Sequence, residues 1–140
     1  MERRSRTAFE AEEGKYDYVR DSSVFFGAYG VDADYKPPMR TSPGAAGYDI
    51  FALEEFSIPP FSMVTVPTNI VVCNDINVWY KIADRSSVAL MGVSVVAGVI
   101  DCDFTNDVCV MLRNFNSYAV SFVKGEAIAQ IIPIPRVLSL

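Results

Sequence analysis

Residues 97–104 place apolar and carboxylate side chains in an order that could support acid–base chemistry. A run of small and branched apolar residues ends at Asp101, and Asp103 and Phe104 follow closely. β-Branched residues favour strands, and aspartate favours strand ends and turns. A strand that leaves the core at Asp101 could hold a water on its carboxylate, and Phe104 could stack on a flat or cyclic ligand. The alternative interpretation is an ordinary hairpin with polar turn residues.

The composition restricts the chemistry that the chain can perform. It has 140 residues, no histidine and a formal net charge of −5. The absence of histidine excludes Ser-His-Asp and Cys-His nucleophilic catalysis and most zinc sites, so acid–base work falls to a carboxylate. Cys73, Cys102 and Cys109 lack metal-ligand spacing and predict reduced thiols in an intracellular protein. The acidic balance, without a basic block, argues against nucleic-acid binding.

The distribution of apolar residues predicts one folded domain and no membrane segment. The longest apolar run, residues 88–100, is interrupted by glycine and serine and is shorter than the ~18 residues of a membrane span. No secretory signal is visible at the start of the chain. Residues 1–22 are polar and aperiodic and predict a flexible arm, whereas residues 23–140 predict a single globular domain.

Short apolar segments alternate with turn signals from residue 23 onward. The predicted strands are residues 23–27, 47–52, 62–72, 78–83, 93–100, 107–115, 119–123 and 127–134. The strands on either side of residues 101–106 would form the arms of one hairpin, and residues 87–91 are the one plausible helical turn. Many short strands with almost no helical period predict an all-β barrel or sandwich.

A second group of polar residues could bind phosphate. Arg85, Ser86 and Ser87 follow the predicted strand 78–83, where a guanidinium fork and hydroxyls suit phosphate oxygens. The alternative is that Ser86 or Ser87 caps a helical turn while Arg85 is solvated. Gln130 lies on an apolar strand, where a buried amide needs hydrogen-bond partners.

These segments, taken in order, resemble the trimeric dUTPases, a family of dUTP nucleotidohydrolases. The matching segments are residues 45–52, 84–89, 97–104 and 124–132, which correspond to four of the five family motifs. The resemblance implies a dUTPase-like β-barrel, a distorted jelly roll, assembled as a homotrimer with its sites between subunits. It implies Mg²⁺-dependent hydrolysis of dUTP to dUMP and pyrophosphate, in the cytoplasm or nucleus, or in a host cell for a virus-encoded member.

The resemblance also implies roles for individual residues. Asp101 would be the general base that orders a water for attack on the α-phosphorus, and Ser86 would stabilise charge that develops on the phosphates. Phe104 would lie beneath the deoxyribose in place of the usual Tyr. Asp49 would be an outer-shell partner of the Mg²⁺–triphosphate, or alternatively a plain strand-end acid. The implied substrate-binding residues are Arg85, Ser86, Ser87, Gly98, Val99, Ile100, Asp101, Phe104 and Gln130.

The chain departs from the family pattern at several positions. Ser87 and Asn106 stand where the family usually has Gly, and Asn tolerates the left-handed conformation better than most residues. Met111 stands where the related dCTP deaminases need a Glu, which argues against deamination. The family's fifth motif, a Gly-rich segment with an Arg and a Phe, is missing from the sequence. Two alternatives therefore stay open: a nucleotide-binding or regulatory module with little turnover, and a structural or interaction protein.

Overall fold

The structure, a computed structural model, describes residues 17–20, 25–28, 35–72 and 74–139. Within these residues the chain forms short strands and one helical turn. The elements are β1 (Asp17–Arg20), β2 (Phe25–Ala28), β3 (Tyr48–Phe51), β4 (Phe56–Ile58), β5 (Met63–Val72), β6 (Val78–Ala83), α1 (Ser86–Ala89), β7 (Val93–Val95), β8 (Val99–Ile100), β9 (Val108–Asn114), β10 (Val120–Phe122) and β11 (Ala127–Pro135).

The strands are arranged in three antiparallel sheets. One sheet has the order β1-β2-β5-β9-β7, a second has the order β3-β11-β6-β8, and β10 pairs with β4 in the third. All three contribute to one apolar core. Leu112 enters it from the five-stranded sheet, Ile82 and Ile131 from the four-stranded sheet, and Ile58 and Phe122 from the two-stranded sheet. The predicted all-β fold with one short helical turn is confirmed.

The alternation of side chains along β9 explains why this segment is a strand. Val108, Val110 and Leu112 are completely buried, while Cys109 and Arg113 between and after them are exposed. Successive side chains of a strand point to opposite faces, so a period of two buries every second residue. The same period predicted residues 107–115 as a strand, and the observed strand lies within that range.

The predicted single strand over residues 93–100 is wrong. The segment divides into β7, which pairs with β9 in the five-stranded sheet, and β8, which pairs with β6 in the four-stranded sheet. The chain changes sheets at Ala97 and Gly98, which have φ angles of 59° and 96°. Two successive residues with positive φ cannot continue an extended strand. The predicted antiparallel pairing is therefore present between β7 and β9. Strand β8 pairs with β6 instead and is not an arm of the predicted hairpin.

Other predicted elements agree with the structure more closely. The strand predicted over residues 78–83 has the bounds of β6, and the helical turn predicted over residues 87–91 is α1, which begins at Ser86.

Within the predicted arm, Asp17–Arg20 forms the edge strand β1. The rest of that arm and Cys73 lie outside the described residues. In the part of the chain that the structure describes, no helix has the length and apolar character to span a bilayer.

Asn114 is a buried polar residue that holds three loops together. Its side chain is fully buried, and its Nδ2 donates to the carbonyl oxygens of Ile58, Pro59 and Tyr118 at 3.1, 3.3 and 2.7 Å. Its Oδ1 accepts hydrogen bonds from the backbone and side-chain nitrogens of Asn116, both at 2.9 Å. This amide therefore links the end of β9 to the segments around β4 and β10.

We expect Asn114→Ala to lower the free energy of unfolding by about 3 kcal/mol, because it leaves buried carbonyl groups without a donor. Urea unfolding at a fixed protein concentration measures the effect. Asn77→Ala is the control, since Asn77 is exposed, and it should change the unfolding free energy little. Equal losses in the two variants would contradict the role given to Asn114.

Candidate functional site

Three strands bring the candidate phosphate-binding residues into one polar pocket. Strand β11 lies between β3 and β6, and Gln130 of β11 is opposite Asp49 on one side and Ala83 on the other. Arg85 and Ser86 come two and three residues after the end of β6, so they reach the same pocket. The pocket is lined by Thr41, Ala45, Gly47, Asp49, Arg85, Ser86 and Gln130. The structure thus brings together four of the residues predicted from the sequence.

Two lining residues of this pocket, Arg85 and Asp49, form an ion pair. The Arg85 Nε donates to Asp49 Oδ1 at 3.0 Å, and the two side chains are 29% and 11% exposed. The Arg85 Nη1 donates to Ser87 Oγ at 3.1 Å. A guanidinium has five N–H donors in a rigid fork, and these two bonds fix its plane. Partial burial makes the pairing necessary, because an uncompensated charge there would be costly.

The capping interpretation of Ser86 and Ser87 is not what the structure has. Arg85 occupies the N-cap position of α1, with extended backbone angles, and its side chain makes no capping hydrogen bond. Arg85 is held by Asp49 and Ser87 rather than solvated. Ser86 is exposed and lines the pocket, so its hydroxyl is accessible to a ligand.

Gln130 fixes the backbone that carries Arg85. Its Nε2 donates to the carbonyl oxygen of Asp84 at 2.9 Å. The Asp84 carboxylate in turn accepts bonds from Ser94 Oγ at 2.9 Å and from the Val95 backbone nitrogen at 2.6 Å. This second pair of contacts ties the loop to β7. The bond from Gln130 is therefore both a structural bond within the barrel and a contact to the candidate phosphate-binding loop.

Gly47 permits the close approach of β11 to the pocket. A Cβ at this position would lie 2.8 Å from both Gln130 Oε1 and Ile132 Cγ1. Sequence reasoning did not select Gly47 or Thr41 as site residues. Gly47 directly precedes Tyr48 in the motif that contains Asp49. A glycine at this position could have indicated a close approach of the backbone to another part of the chain.

Asp101 lines a different pocket from Arg85 and Ser86. A second pocket is lined by Trp79, Asp101, Cys102, Asp103 and Arg136, and it shares no lining residue with the first pocket. Asp101 is exposed at the end of β8, and its carbonyl oxygen accepts a bond from the Phe104 nitrogen at 3.1 Å. Within one chain, the structure therefore does not bring Asp101 into the pocket of Arg85 and Ser86.

Phe104 follows Asp101 in the same turn. Its ring is half-buried and packs against the core, so it is held in place from one side. Asp103 is exposed. Trp79 and Arg136 were not selected from the sequence. The alternation of β6, which buries Tyr80, places Trp79 on the opposite face, and this was the signal that could have indicated it.

Strand β8 lies at the edge of the four-stranded sheet. Val99 is opposite Lys81 and Ile100 is opposite Tyr80, so one backbone edge of β8 faces β6. Val99 is 65% exposed, whereas the Ile100 side chain is buried. The outer edge of an edge strand presents backbone N–H and C=O groups that can bind a ligand. Strand β8, which carries two of the substrate-binding residues implied by the resemblance, thus has one backbone edge paired with β6 and one edge facing outward.

The two replaced glycines do not need a left-handed backbone here. Among the described residues, the non-glycine positions with positive φ are Phe61, Asn69 and Ala97, and neither Ser87 nor Asn106 is one of them. Neither substitution therefore strains the backbone of the two candidate site loops.

A magnesium ion fits the first pocket only as part of a bound phosphate compound. Within the described residues, no group of three or more His, Cys, Asp or Glu side chains could hold a metal ion. Mg²⁺ in phosphate-binding sites takes most of its ligands from water and phosphate oxygens and needs only one or two carboxylates. Asp49, which faces the pocket beside Arg85, fits that requirement.

The fold is that of the dUTPases. A dUTPase of Staphylococcus bacteriophage 80alpha, solved with dUpNHpp, superposes with a TM-score of 0.76 at 17% identity, covering 86% of this chain and 94% of that one. The native EIAV dUTPase superposes with a TM-score of 0.67 at 22% identity, covering 70% and 82% of the two chains. At these identities the likeness concerns the arrangement of the strands.

The sequence comparisons identify the family. Residues 33–138 match the dUTPase family profile. A segment of 97 residues is 36% identical to the deoxyuridine 5'-triphosphate nucleotidohydrolase of Variola virus, covering 69% of this chain and 66% of that relative. The corresponding protein of fowl adenovirus A serotype 1 is 37% identical over 97 residues, with 69% of this chain and 54% of the relative covered. The chain belongs to the dUTPase family, and the match spans less than two thirds of these relatives' own length.

Gly98 is needed where the chain crosses to β8. Its φ is +96°, and an added Cβ would lie 2.5 Å from the carbonyl oxygen of Ile82. The Gly98 carbonyl also accepts the backbone N–H of Ile82 at 2.7 Å. The close contact between Gly98 and Ile82 therefore results from the backbone pairing of β8 with β6. This pairing also fixes the strand that ends just before Asp101.

We expect Gly98→Ala to lower the free energy of unfolding by about 3 kcal/mol, because it adds both backbone strain and a clash with a carbonyl oxygen. Chemical denaturation checks this. Gly44→Ala is the matched control, since a Cβ at Gly44 has nothing within 4 Å, and it should leave stability nearly unchanged. A Gly98 variant as stable as the control would show that the crossover tolerates a side chain.

Proposed function

We propose that this chain hydrolyses dUTP to dUMP and pyrophosphate, in an assembly of three copies. The observation that carries the proposal is the pocket in which Asp49 of β3 and Gln130 of β11 meet Arg85 and Ser86, which follow β6. The relatives named as nucleotidohydrolases support the same activity.

The first pocket would bind the phosphates. Arg85 supplies the cation and Ser86 supplies a hydroxyl, and both suit phosphate oxygens. The chain as a whole is acidic, so a triphosphate needs this local positive charge. Because Asp49 already compensates Arg85, the pocket has no net charge among its lining residues. Mg²⁺ bound with the triphosphate, near Asp49, would neutralise the phosphate charge that Arg85 alone does not offset.

The second pocket would supply the base. The Asp101 carboxylate is exposed at a strand end, where a water molecule can reach it. In the proposed reaction Asp101 takes a proton from this water as the water oxygen attacks the α-phosphorus. The bond between the α-phosphorus and the bridging oxygen breaks, and pyrophosphate leaves. Ser86 of the first pocket would stabilise the charge that develops on the phosphates.

The separation of the two pockets supports a site formed between subunits. Within one chain the Asp101 pocket and the Arg85 pocket share no lining residue. A complete site would combine the Asp101 turn of one copy with the Arg85 loop of another. A homotrimer with sites at its subunit contacts meets this requirement.

The nucleoside would lie against β8 and the following turn. The outer edge of β8 would read the base through the backbone groups of Gly98, Val99 and Ile100, and the face of Phe104 would contact the deoxyribose. A ring packed closely beneath the sugar leaves no space for a 2′-hydroxyl, which favours a deoxyribonucleotide.

Nucleotide binding without turnover is the second candidate function. The observation that favours it is the ion pair between Asp49 and Arg85, since a guanidinium shared with Asp49 has less charge to offer the phosphates during cleavage. Under this alternative, dUMP would bind but dUTP would not be cleaved.

Pyrophosphate release from dUTP in the presence of Mg²⁺ tests the proposal, with dCTP, dTTP and UTP as comparison substrates. We expect release from dUTP and little from the other three. Binding of dUMP without pyrophosphate release would favour the second candidate. Neither binding nor release would leave the barrel as a structural module.

We expect Asp101→Asn to reduce kcat by about 10²–10⁴-fold, because the amide cannot accept the proton of the attacking water. The matched control is Asp103→Asn, which removes the same charge from the same turn and should keep most of the turnover. Steady-state kinetics with dUTP measure both variants. If the Asp101 variant kept the parent activity, another group would be the base.

A further inference from the structure

We propose that Asn74 is a positioning residue that holds the Asp101 turn in the shape required for catalysis. The inference rests on the proposed function for its catalytic consequence, and on the side-chain contacts of Asn74 for its structural part. Asn74 lies in the connection between β5 and β6, which belong to different sheets. It is therefore attached to a part of the chain that is remote in sequence from the turn.

The contacts of Asn74 are with the backbone of the turn. Its Nδ2 donates to the carbonyl oxygen of Cys102 at 2.7 Å and to that of Phe104 at 3.4 Å. Carbonyl oxygens can only accept hydrogen bonds, so the chemistry of the two partners fixes which end of the amide faces the turn. The two acceptors flank Asp103, and one amide therefore sets the backbone direction of the turn on both sides of that residue.

The turn lies outside the sheets, so its shape depends on contacts other than strand pairing. Strand β8 ends at Ile100 and β9 begins at Val108, so residues 101–107 lie outside the sheets. The Phe104 nitrogen bonds to the Asp101 carbonyl at 3.1 Å, which closes the turn on itself. The Phe104 ring packs on the core, whereas the Asp101 side chain is exposed. Asn74 joins this turn to the neighbouring β5–β6 connection.

The Asn74 amide donates hydrogen bonds through its nitrogen, while its oxygen is unpaired among the described residues. Within the part of the chain that the structure describes, its Oδ1 is buried and has no hydrogen-bond partner. A buried hydrogen-bond acceptor without a partner is costly. The burial of the Asn74 side chain is therefore not explained by the hydrogen bonds that the amide itself gains. The donor function toward the turn is the interaction that Asn74 provides. An aspartate of the same shape would instead place a negative oxygen against two carbonyl oxygens.

We expect Asn74→Asp to lower kcat/KM for dUTP on the order of 10²-fold, the loss that a displaced catalytic group causes. Most of the loss should lie in kcat, because Asp101 acts on the attacking water, while the KM changes less. Asn74→Ala, which removes the donor without adding charge, should lose a smaller factor. The control is Asn77→Asp, which adds the same charge at an exposed position in the same connection and should keep the parent kinetics.

Amide hydrogen exchange gives a readout that needs no turnover. The Phe104 N–H is bonded within the turn, so both Asn74 variants should exchange it faster than the parent and the Asn77 control, while amides of β9 and β11 keep their protection. If the parent does not release pyrophosphate but the Asn74 variants still exchange the Phe104 amide faster than the parent does, the proposed hydrolysis is rejected and the structural role of Asn74 is retained. Parent-like exchange and kinetics in both Asn74 variants would overturn the proposal. A general loss of protection across the strands would overturn it too, since Asn74 would then support the whole barrel.

Discussion

The pairing register of β11 is the constraint on which the candidate phosphate pocket depends. Strand β11 lies between β3 and β6, and at Gln130 it is opposite Asp49 and Ala83 at once. A slip of one residue would turn every side chain of a strand to the other face. Such a slip would expose Ile131, now fully buried, and would remove Gln130 from the pocket. The core and the site therefore specify the same register, and neither can change without the other.

Uncharged amides do much of the positioning in this protein. Gln130 holds the backbone before Arg85, Asn114 holds the loops around β4 and β10, and Asn74 holds the turn after β8. In each case the amide nitrogen donates to backbone carbonyl oxygens. The chain has no histidine, and these fixing contacts are made by groups that do not titrate.

The sequence predicted what local patterns encode and missed what depends on distant pairing. Strand β6 was predicted with its observed bounds, because its side chains alternate between two environments. Residues 93–100 were predicted as one strand because apolar residues fill both sheets alike, and the pattern does not indicate which sheet they enter. The positive φ at Ala97, a residue without turn preference, gave no local signal. The ion pair of Asp49 and Arg85 could not be predicted from the sequence either, since β3 and β6 are brought together by their common pairing with β11.

The Asp49–Arg85 pair has a consequence for what leaves the pocket. Asp49 is a resident anion 3.0 Å from the guanidinium, and it remains there after any ligand departs. If the pocket binds phosphate as proposed, a phosphate compound that dissociates would be replaced at Arg85 by an internal carboxylate rather than by water alone. This exchange would lower the free-energy cost of dissociation compared with a bare arginine. Under the proposed function, the resident carboxylate would therefore weaken the binding of phosphate products in this pocket.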